Sequence, residues 1–255
     1  MTKSVVSICL LYPDLLGTYG DGGNATVLSK RLTWRGIDNE IVPVAMGASV
    51  PKTCDLYVMG GGEDQPQSTV TSELSDSKAL HRAVENGAAV LAVCAGMQVL
   101  GTEFAVAGGE ARPGLGLLDI ATVRGEGTRR VGEVVSRPDP AFGVELLTGY
   151  ENHGGITRLG PDAVRLGRVI TGAGNDDGQG SEGAVSGKVL GTYLHGPVLA
   201  RNPQLADLLL SWAVGSAVAP LDDAAIDDLR QERIRSSAAA QRSVRTQVRK
   251  LLTRS

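Results

Sequence analysis

The chain has 255 residues, 42% of them hydrophobic, which is enough to bury the core of one large domain. Its 25 Lys and Arg residues are balanced by 28 Asp and Glu residues, and the small net charge of −3 excludes the clustered positive surface that nucleic-acid binding requires. Three scattered cysteines, Cys9, Cys54 and Cys94, lack the spacing of a metal site or a disulfide framework, and they favour a reducing, cytoplasmic compartment.

The first 120 residues alternate short β-rich runs with longer helical patterns. Such alternation predicts βαβ units around a mostly parallel sheet flanked by helices, an α/β fold. The first apolar run, residues 5–12, is too short to span a membrane and is predicted to form a strand. Strands are predicted at residues 5–11, 39–44, 55–59 and 88–93, and helices at residues 23–35 and 75–85.

After Gly114 the segments become shorter and are separated by Gly and Asp turns, which indicates a half richer in strands. Strands are predicted there at residues 131–135, 163–169 and 189–193. A helix over residues 202–214 is predicted to close the main domain, with Asn202 as its N-cap and Pro203 in its first position. The predicted domain therefore spans residues 1–215.

Residues 216–255 form a charged tail that is acidic first and basic from Arg230 to Arg254. Such a charge run buries little apolar area, and the simplest interpretation is a solvated helix or a disordered end. The alternative is a helix that docks a partner. Deleting the tail and measuring partner binding would decide between the two.

The segment AAVLAVCAGMQVLG, residues 88–101, places Cys94 between an apolar strand and the start of a helix. A side chain on such a sharp turn projects at the carboxyl end of the sheet, and the amides of the helix start favour a thiolate and a developing oxyanion. Ala95 and Gly96 are small enough to allow the turn. The pattern predicts a nucleophile, whereas the residue type alone favours a buried core cysteine.

A cysteine that attacks an amide needs a base, and the chain has three histidines, His81, His153 and His195. His81 is predicted to face solvent on the outer side of a helix. His195 follows the apolar run 189–194 and precedes a Gly-Pro pair, so it lies where a strand meets a loop, as the groups of α/β sites do. His195 is the predicted base, and a purely structural histidine is the alternative.

Gly60, Gly61 and Gly62 directly follow the predicted strand 55–59 and offer backbone amides with no side chain in the way. This suits an oxyanion hole, with a tight turn or a phosphate loop as the alternatives. The sequence has no Lys-Ser/Thr pair after these glycines and no Gly-x-Gly-x-x-Gly after the first strand, which argues against nucleotide binding.

These motifs resemble the class I glutamine amidotransferases of the cobyric-acid-synthase-like (CobB/CobQ) branch. The resemblance rests on the glycine run, on CAGMQ at residues 94–98 and on YLHG at residues 193–196. It extends to the GatD-type glutaminase subunits of lipid II isoglutaminyl synthases through YGDGGN at 19–24, GYENHGG at 149–155 and GTYLHGP at 191–197. It covers about residues 5–215 and implies a flavodoxin-like class I amidotransferase fold with L-glutamine as the substrate.

The resemblance implies a role for individual residues. Cys94 would attack the carboxamide, and His195 would protonate the departing ammonia and then activate water. The backbone amides of Gly62 and Ala95 would hold the oxyanion. Arg129 would pair with the α-carboxylate of glutamine.

The remaining implied contacts rest on weaker matches. Arg130 rivals Arg129, because the stretch around them aligns loosely, and a plain surface arginine is the alternative. Three more positions resemble substrate contacts, Gln98, Asn152 and Gly154. His153 is expected only to order their loop.

Two positions depart from the common class I pattern. Pro197 stands where many members have a glutamate that orients the histidine, so a third acid has to come from elsewhere or be absent. If a partner donates it, the isolated subunit would have weak glutaminase activity, and equal turnover of subunit and complex would contradict this hypothesis. Ala92 replaces a glycine common two residues before the cysteine, which tightens the turn without abolishing it.

The resemblance also implies a partner. GatD-type subunits pair with MurT, a Mur-ligase-like subunit that uses ATP and Mg²⁺ and amidates the D-glutamate of the lipid II stem peptide. This chain is then expected to need no cofactor or metal of its own, and to act in the cytoplasm at the inner face of the membrane through its partner. Two alternatives stay open, a Cys-His hydrolase of the same fold that acts on another amide, and a catalytically silent binding module.

Overall fold

The computed structural model describes residues 5–17, 20–62, 64–106 and 109–252, except for the side chains of residues 64–66 and 240–252. Tyr19, which begins one of the resembling motifs, and the last three residues of the tail lie outside these ranges. The strands are β1 (Val6–Leu11), β2 (Asn39–Val44), β3 (Leu56–Met59), β4 (Ala89–Val93), β5 (Glu103–Ala105), β6 (Ala111–Pro113), β7 (Ile120–Arg124), β8 (Arg130–Pro138), β9 (Leu147–His153), β10 (Gly155–Leu159), β11 (Gly167–Thr171), β12 (Ser181–Glu182), β13 (Ala184–Ser186) and β14 (Val189–Thr192). The α-helices are α1 (Gly23–Trp34), α2 (Asp64–Ser77), α3 (Ala79–Glu85), α4 (Ala95–Leu100), α5 (Val198–Arg201), α6 (Pro203–Val214) and α7 (Ala224–Leu252).

Six strands form the main sheet, in the order β13-β14-β4-β3-β1-β2. Five of them run parallel, and β13 at one edge pairs antiparallel with β14. β3 and β4 are buried at every position, and helices α4 and α6 pack against the sheet, which explains why these two strands are continuous apolar runs. The carboxyl ends of the parallel strands meet at one edge, where α/β proteins place their sites.

Two smaller sheets, each of four strands, have the orders β10-β7-β5-β6 and β12-β11-β8-β9. Their pairs are antiparallel except for β5 with β7. An antiparallel bridge between Tyr150 of β9 and His195 connects the second of these sheets to the chain just beyond β14. The strand-rich second half therefore lies beside the carboxyl edge of the main sheet.

The predicted α/β fold with a mostly parallel central sheet is confirmed. The four strands predicted in the first half agree with β1 to β4 to within one residue at each end, and the helix predicted at residues 23–35 is α1. These elements are the ones whose apolar runs are continuous or clearly periodic, so local pattern is sufficient to locate them.

The single helix predicted at residues 75–85 is wrong. The chain forms α2 and α3 instead, separated by Lys78, which has a left-handed φ of 49°. At this break the Ser77 hydroxyl accepts a hydrogen bond from the Ala79 N–H at 3.2 Å. A single left-handed residue leaves no trace in hydrophobic periodicity, so the pattern merged the two helices.

Two details of the second half also differ from the predictions. The strand predicted at residues 163–169 is β11, which begins only at Gly167. Val164, within the predicted range, forms an isolated bridge with Val185. Asn202 precedes α6 as predicted, but its side chain makes no capping bond. Its Oδ1 accepts from the Thr148 N–H at 2.9 Å, and its Nδ2 donates to the carbonyl oxygens of Thr148 and Val198. Asn202 therefore ties α6 to β9.

Helix α7 contacts β8, β9 and β11, and two buried arginines anchor it. Arg31 of α1 donates to the carboxylates of Asp207 on α6 and Asp223 just before α7, at 2.7–2.8 Å. Arg230 of α7 donates to the Leu146 carbonyl oxygen at 2.9 Å. The predicted boundary between domain and tail stays a prediction. Within the described ranges, no helix combines the length and apolar content needed to cross a membrane.

Candidate active site

Cys94 lies on the sharp turn between β4 and α4. Its φ of 51° and ψ of −110° form a conformation that L residues rarely adopt, so the turn is strained. The Cys94 N–H donates to the Thr192 carbonyl oxygen of β14 at 2.8 Å, and the Cys94 carbonyl accepts from the Gln98 N–H at 3.1 Å. These bonds hold the strained residue at the carboxyl edge of the sheet.

Backbone contacts fix the position of His195. Its N–H donates to the Tyr150 carbonyl oxygen at 2.8 Å, and its carbonyl accepts from the Tyr150 N–H at 3.2 Å. Just upstream, the buried carboxylate of Glu182 accepts from the Thr192 hydroxyl at 2.6 Å and from the Tyr193 N–H at 3.1 Å. Burial raises the pKa of Glu182 to about 7. The Glu182 carboxylate thus accepts the backbone hydrogen bond just beyond β14, where the chain turns toward His195.

A buried acid of this chain lies beside His195, at the place of the third acid that sequence analysis expects elsewhere or absent. The Oδ2 atom of Asp21 is 2.9 Å from His195 Nδ1 and accepts from the Gly61 N–H at 3.0 Å. Asp21 is fully buried and lies 174 residues before His195. The carboxylate beside the histidine in this chain comes from the loop after β1, and donation of an acid by a partner stays a prediction.

Cys94, His195 and Asp21 form an electrostatically coupled group. Burial lowers the pKa of His195, but hydrogen bonds with Asp21 and Cys94 outweigh that cost and raise it from 6.5 to about 9. The ring is therefore protonated at neutral pH and donates its Nδ1–H to Asp21. Cys94 therefore has a protonated imidazole within hydrogen-bonding reach, as a cysteine that acts on an amide requires.

Two glycines allow the loop after β3 to approach this group closely. A Cβ atom on Gly61 would lie 2.8 Å from His195 Cε1 and 3.3 Å from Cys94 Cβ. A Cβ atom on Gly96 would lie 2.9 Å from the Gly60 carbonyl oxygen. The glycine run therefore serves close packing around the cysteine and the histidine.

A cavity of about 300 Å³ opens beside Cys94, a size suited to a small amino acid. One wall comes from the carboxyl edge of the main sheet and includes Gly62, Gln67, Cys94, Ala95 and Gln98. The opposite wall comes from β7 to β10 and includes Thr122, Arg124, Arg129, His153 and Gly154. Cys94 is buried beside a protonated histidine and borders this cavity, an arrangement suited to covalent attack on an amide. The arginines of the opposite wall suit a substrate that is a small anion.

Residues 7–203 match the CobB/CobQ-like glutamine amidotransferase domain. The chain belongs to this amidotransferase family. It is 37% identical over 217 residues to the GatD subunit of the glutamine-hydrolyzing lipid II isoglutaminyl synthase of Staphylococcus aureus (strain N315), which covers 84% of this chain and 87% of that protein. It is 33% identical to the GatD subunit of Streptococcus pneumoniae (strain ATCC BAA-255 / R6), over 82% of this chain and 80% of that protein.

More distant similarities agree with the family. The cobyric acid synthase of Rhizobium johnstonii is 38% identical over 193 residues, which cover 69% of this chain but 36% of that larger protein. A crystal structure of a glutamine amidotransferase superposes with a TM-score of 0.57 at 24% identity and covers 83% of this chain and 99% of its own, which supports the fold. The class I amidotransferase resemblance expected from the motifs is confirmed.

The amidotransferase pocket distinguishes the two rival arginines. Arg129 lines it, and donates from Nε and Nη2 to the side-chain and backbone oxygens of Asn152, both at 3.0 Å. Arg130 instead donates from Nε to Asp176 at 2.8 Å. Of the other implied contacts, Gln98 and Gly154 line the pocket, whereas Asn152 is placed as a support for Arg129. A direct contact between Asn152 and substrate stays a prediction.

The other two histidines have different surroundings. His81 is half-buried, and its Nε2 lies 2.7 Å from the Leu115 carbonyl oxygen, so the expectation of a solvated ring is wrong. The fold brings the turn at Leu115 over α3, which the helix pattern alone does not reveal. His153 lines the pocket, with Nδ1 3.0 Å from the Gly155 carbonyl oxygen and its ring stacked on Tyr193 at 3.8 Å between centroids.

Sequence reasoning missed several residues of this amidotransferase site. Asp21 belongs to the YGDGGN run that carries the family resemblance, so one signal for it existed. Gln67, Arg124 and Glu182 carry no local signal, because only the tertiary fold brings them to the pocket or to the end of β14.

Proposed function

We propose that this chain is the glutaminase subunit of a lipid II isoglutaminyl synthase. It hydrolyses L-glutamine to glutamate and ammonia, and the ammonia passes to a MurT-like, ATP-dependent ligase that amidates the D-glutamate of the lipid II stem peptide to D-isoglutamine. The observation that carries the chemistry is the buried arrangement of Cys94, His195 and Asp21 beside the pocket. The similarity to two GatD subunits over more than 80% of the chain supports the acceptor.

Hydrolysis proceeds through a thioester. The Cys94 thiolate attacks the side-chain carboxamide carbon of glutamine, and the His195 imidazolium gives its proton to the departing nitrogen, so ammonia leaves and a γ-glutamyl thioester remains. The neutral His195 ring then takes a proton from water, which attacks the thioester and releases glutamate and the thiolate. Asp21 holds Nδ1 throughout and stabilises the imidazolium each time it forms.

Charge on the attacked oxygen is stabilised by backbone donors. The amides of Gly62 and Ala95 are the proposed oxyanion hole, because both residues line the pocket on the same side as Cys94. Each such donor is worth about 3–4 kcal/mol in the transition state. Ala95 is the first residue of α4, so the amides of the helix start add to the positive potential at this point.

The opposite wall holds the rest of the substrate. Arg129 is the proposed partner of the glutamine α-carboxylate, with a guanidinium oriented by Asn152. Gln98 and Gly154 are proposed as further contacts from the two walls. No cofactor or metal is assigned to this subunit, and ATP and Mg²⁺ belong to the ligase partner, with which the chain works in the cytoplasm at the inner face of the membrane.

The test is glutamate and ammonia release from L-glutamine by the chain co-purified with a Mur-ligase-like partner, with Cys94→Ala as the control. We expect release by the wild-type complex, loss of release in the Cys94→Ala complex, and amidation of lipid II only when glutamine and ATP are both supplied. Release that survives in Cys94→Ala would overturn the thiol mechanism. Release without any amidation would overturn the acceptor assignment and favour a hydrolase of another role.

A further inference from the structure

Buried polar side chains from five parts of the fold form a continuous series of hydrogen bonds that connects the two walls of the pocket. Gln67 Nε2 donates to Gln98 Oε1 at 2.8 Å, and Gln98 Nε2 donates to the Tyr193 hydroxyl at 2.9 Å. The Tyr193 hydroxyl lies 2.7 Å from Thr157 Oγ1, which lies 2.8 Å from Thr122 Oγ1. All five residues are buried, and the series links α2, α4, the end of β14, β10 and β7.

The series has a direction, because an amide nitrogen only donates and an amide oxygen only accepts. Gln67 Nε2 also donates to the Ala95 carbonyl oxygen at 3.4 Å, which fixes the orientation of the Gln67 amide. Gln98 therefore accepts from Gln67 through Oε1 and donates from Nε2 to Tyr193, so the single phenolic hydrogen of Tyr193 is available for Thr157. Burial raises the pKa of Tyr193 above its usual value, so the hydroxyl keeps that hydrogen. The Gln98 carbonyl is occupied by Gln67, and one hydrogen of its amide nitrogen is occupied by Tyr193.

Gln98 lines the substrate pocket, and the hydrogen-bond series determines which atom of its amide is available to a ligand there. With its oxygen engaged by Gln67 and one N–H engaged by Tyr193, the group left for a ligand is the second N–H of Gln98, a donor. If the amide were rotated by 180°, Gln98 would direct its nitrogen at the Gln67 donor, which is unfavourable. The matching ligand atom is therefore an acceptor, a carbonyl or carboxylate oxygen of the substrate.

We propose that Tyr193 is a positioning residue for substrate binding, whose hydroxyl fixes the Gln98 amide so that an N–H donor faces an oxygen of glutamine. The inference rests on the proposed glutaminase function and adds to it a residue that fixes the polarity of one pocket wall. Tyr193 is fully buried, and its ring stacks on His153 at 3.8 Å, so its own position is fixed from a second direction. A phenylalanine in its place keeps that stack and removes only the hydroxyl.

The structure offers a matched control for Tyr193→Phe. Tyr57 of β3 is also fully buried, and its hydroxyl donates to the Pro51 carbonyl oxygen at 2.6 Å, in a loop that does not contribute to the pocket. Each buried hydroxyl makes two hydrogen bonds, since the Tyr57 hydroxyl also accepts from the Cys54 N–H at 3.3 Å, so the general cost of the two substitutions to folding is similar. Only Tyr193→Phe removes a hydrogen bond that orients the Gln98 amide.

The experiment compares the wild-type complex, Tyr193→Phe and Tyr57→Phe in steady-state glutamine hydrolysis. For Tyr193→Phe we expect KM for glutamine to rise about 10-fold with kcat within about 3-fold of wild type, the effect of one weakened substrate hydrogen bond. For Tyr57→Phe we expect neither constant to change. Equal constants for the two variants, or a fall in kcat at unchanged KM for Tyr193→Phe, would overturn the proposal.

Thr157→Val is the second variant, for the case that Tyr193→Phe does not fold. Thr157 is not among the pocket-lining residues, and its substitution removes the acceptor of the Tyr193 hydroxyl. We expect KM to rise in the same direction by a smaller factor, and an unchanged KM would overturn the proposal. A wild-type complex that releases no glutamate would instead contradict the proposed function, so the two failures are distinguishable.

Discussion

The two walls of the pocket are built by different means. At the carboxyl edge of the main sheet, Cys94 and His195 are held by backbone hydrogen bonds and by the close passage of Gly61. The wall from β7 to β10 presents exposed long side chains, Arg124 and Arg129. The reacting groups thus depend on a fixed backbone, whereas substrate capture depends on side chains that reach into the pocket. Substitutions at or beside the reacting groups Cys94 and His195 should lower kcat, and those of side chains that hold the substrate should raise KM.

The largest effect expected in the first wall is that of Asp21→Asn. This change keeps the size of the side chain but removes the charge that holds His195 Nδ1, so the imidazolium loses its partner. We expect kcat to fall about 10²- to 10³-fold, with KM nearly unchanged. Asp14→Asn, at an exposed aspartate of the same loop, is the control. A fall of less than a few fold would mean that His195 needs no acid.

The pH profile tests the same contact in another way. The pKa of His195 is raised from 6.5 to about 9, so the imidazolium is present at neutral pH and is lost as pH rises through about 9. Activity of the wild-type complex should therefore fall on the alkaline side near pH 9, since His195 can act as the general acid only while it is protonated. In Asp21→Asn this limb should move to lower pH by about 1 unit or more. An unmoved limb would assign it to another group.

A smaller loss of turnover is expected from Gly61→Ala. The added Cβ would lie 2.8 Å from His195 Cε1, closer than such contacts occur, so the ring or the loop has to move. Because catalysis depends on reacting atoms placed to within about 1 Å, we expect kcat to fall about 10²-fold. Gly132→Ala on β8 is the control, since its Cβ would meet no atom within 4 Å. Equal kinetics in the two variants would show that the first wall is not rigid.

The sequence predicts the first wall much better than the second. Cys94 and His195 each follow an apolar strand of the parallel sheet, and such strands are recognisable from a few neighbouring residues. The glycine run at residues 60–62 likewise directly follows an apolar strand, β3. The sequence therefore predicts which residues lie at the carboxyl edge of the sheet, although the strained φ of Cys94 is visible only in the structure.

The second wall and the supporting residues require the tertiary fold. Asp21 and His195 are 174 positions apart, and no periodicity relates them. The short strands β7 and β10 pair directly in one sheet, although β8 and β9 of another sheet lie between them in sequence. Thr122 and Thr157 are brought together only by that pairing. The choice between Arg129 and Arg130 likewise depends on Asp176, a residue of a later loop that engages Arg130.

The smallest expected effect belongs to the second wall, in Arg129→Lys. Lysine keeps the charge but loses the planar fork that can meet a carboxylate with two hydrogen bonds and that Asn152 now orients. We expect KM for glutamine to rise about 10-fold with kcat nearly unchanged. Arg130→Lys is the control, because that guanidinium is engaged with Asp176.

Arg124→Lys is a second variant for this comparison, because Arg124 lines the same pocket and is exposed. If Arg129→Lys leaves KM unchanged while Arg124→Lys raises it, the α-carboxylate site lies at the end of β7 and not before β8. If either substitution lowers kcat by orders of magnitude at constant KM, the second wall takes part in the transition state, and the division of labour between the two walls fails. A rise in KM confined to Arg129→Lys would place substrate capture on the guanidinium that Asn152 supports.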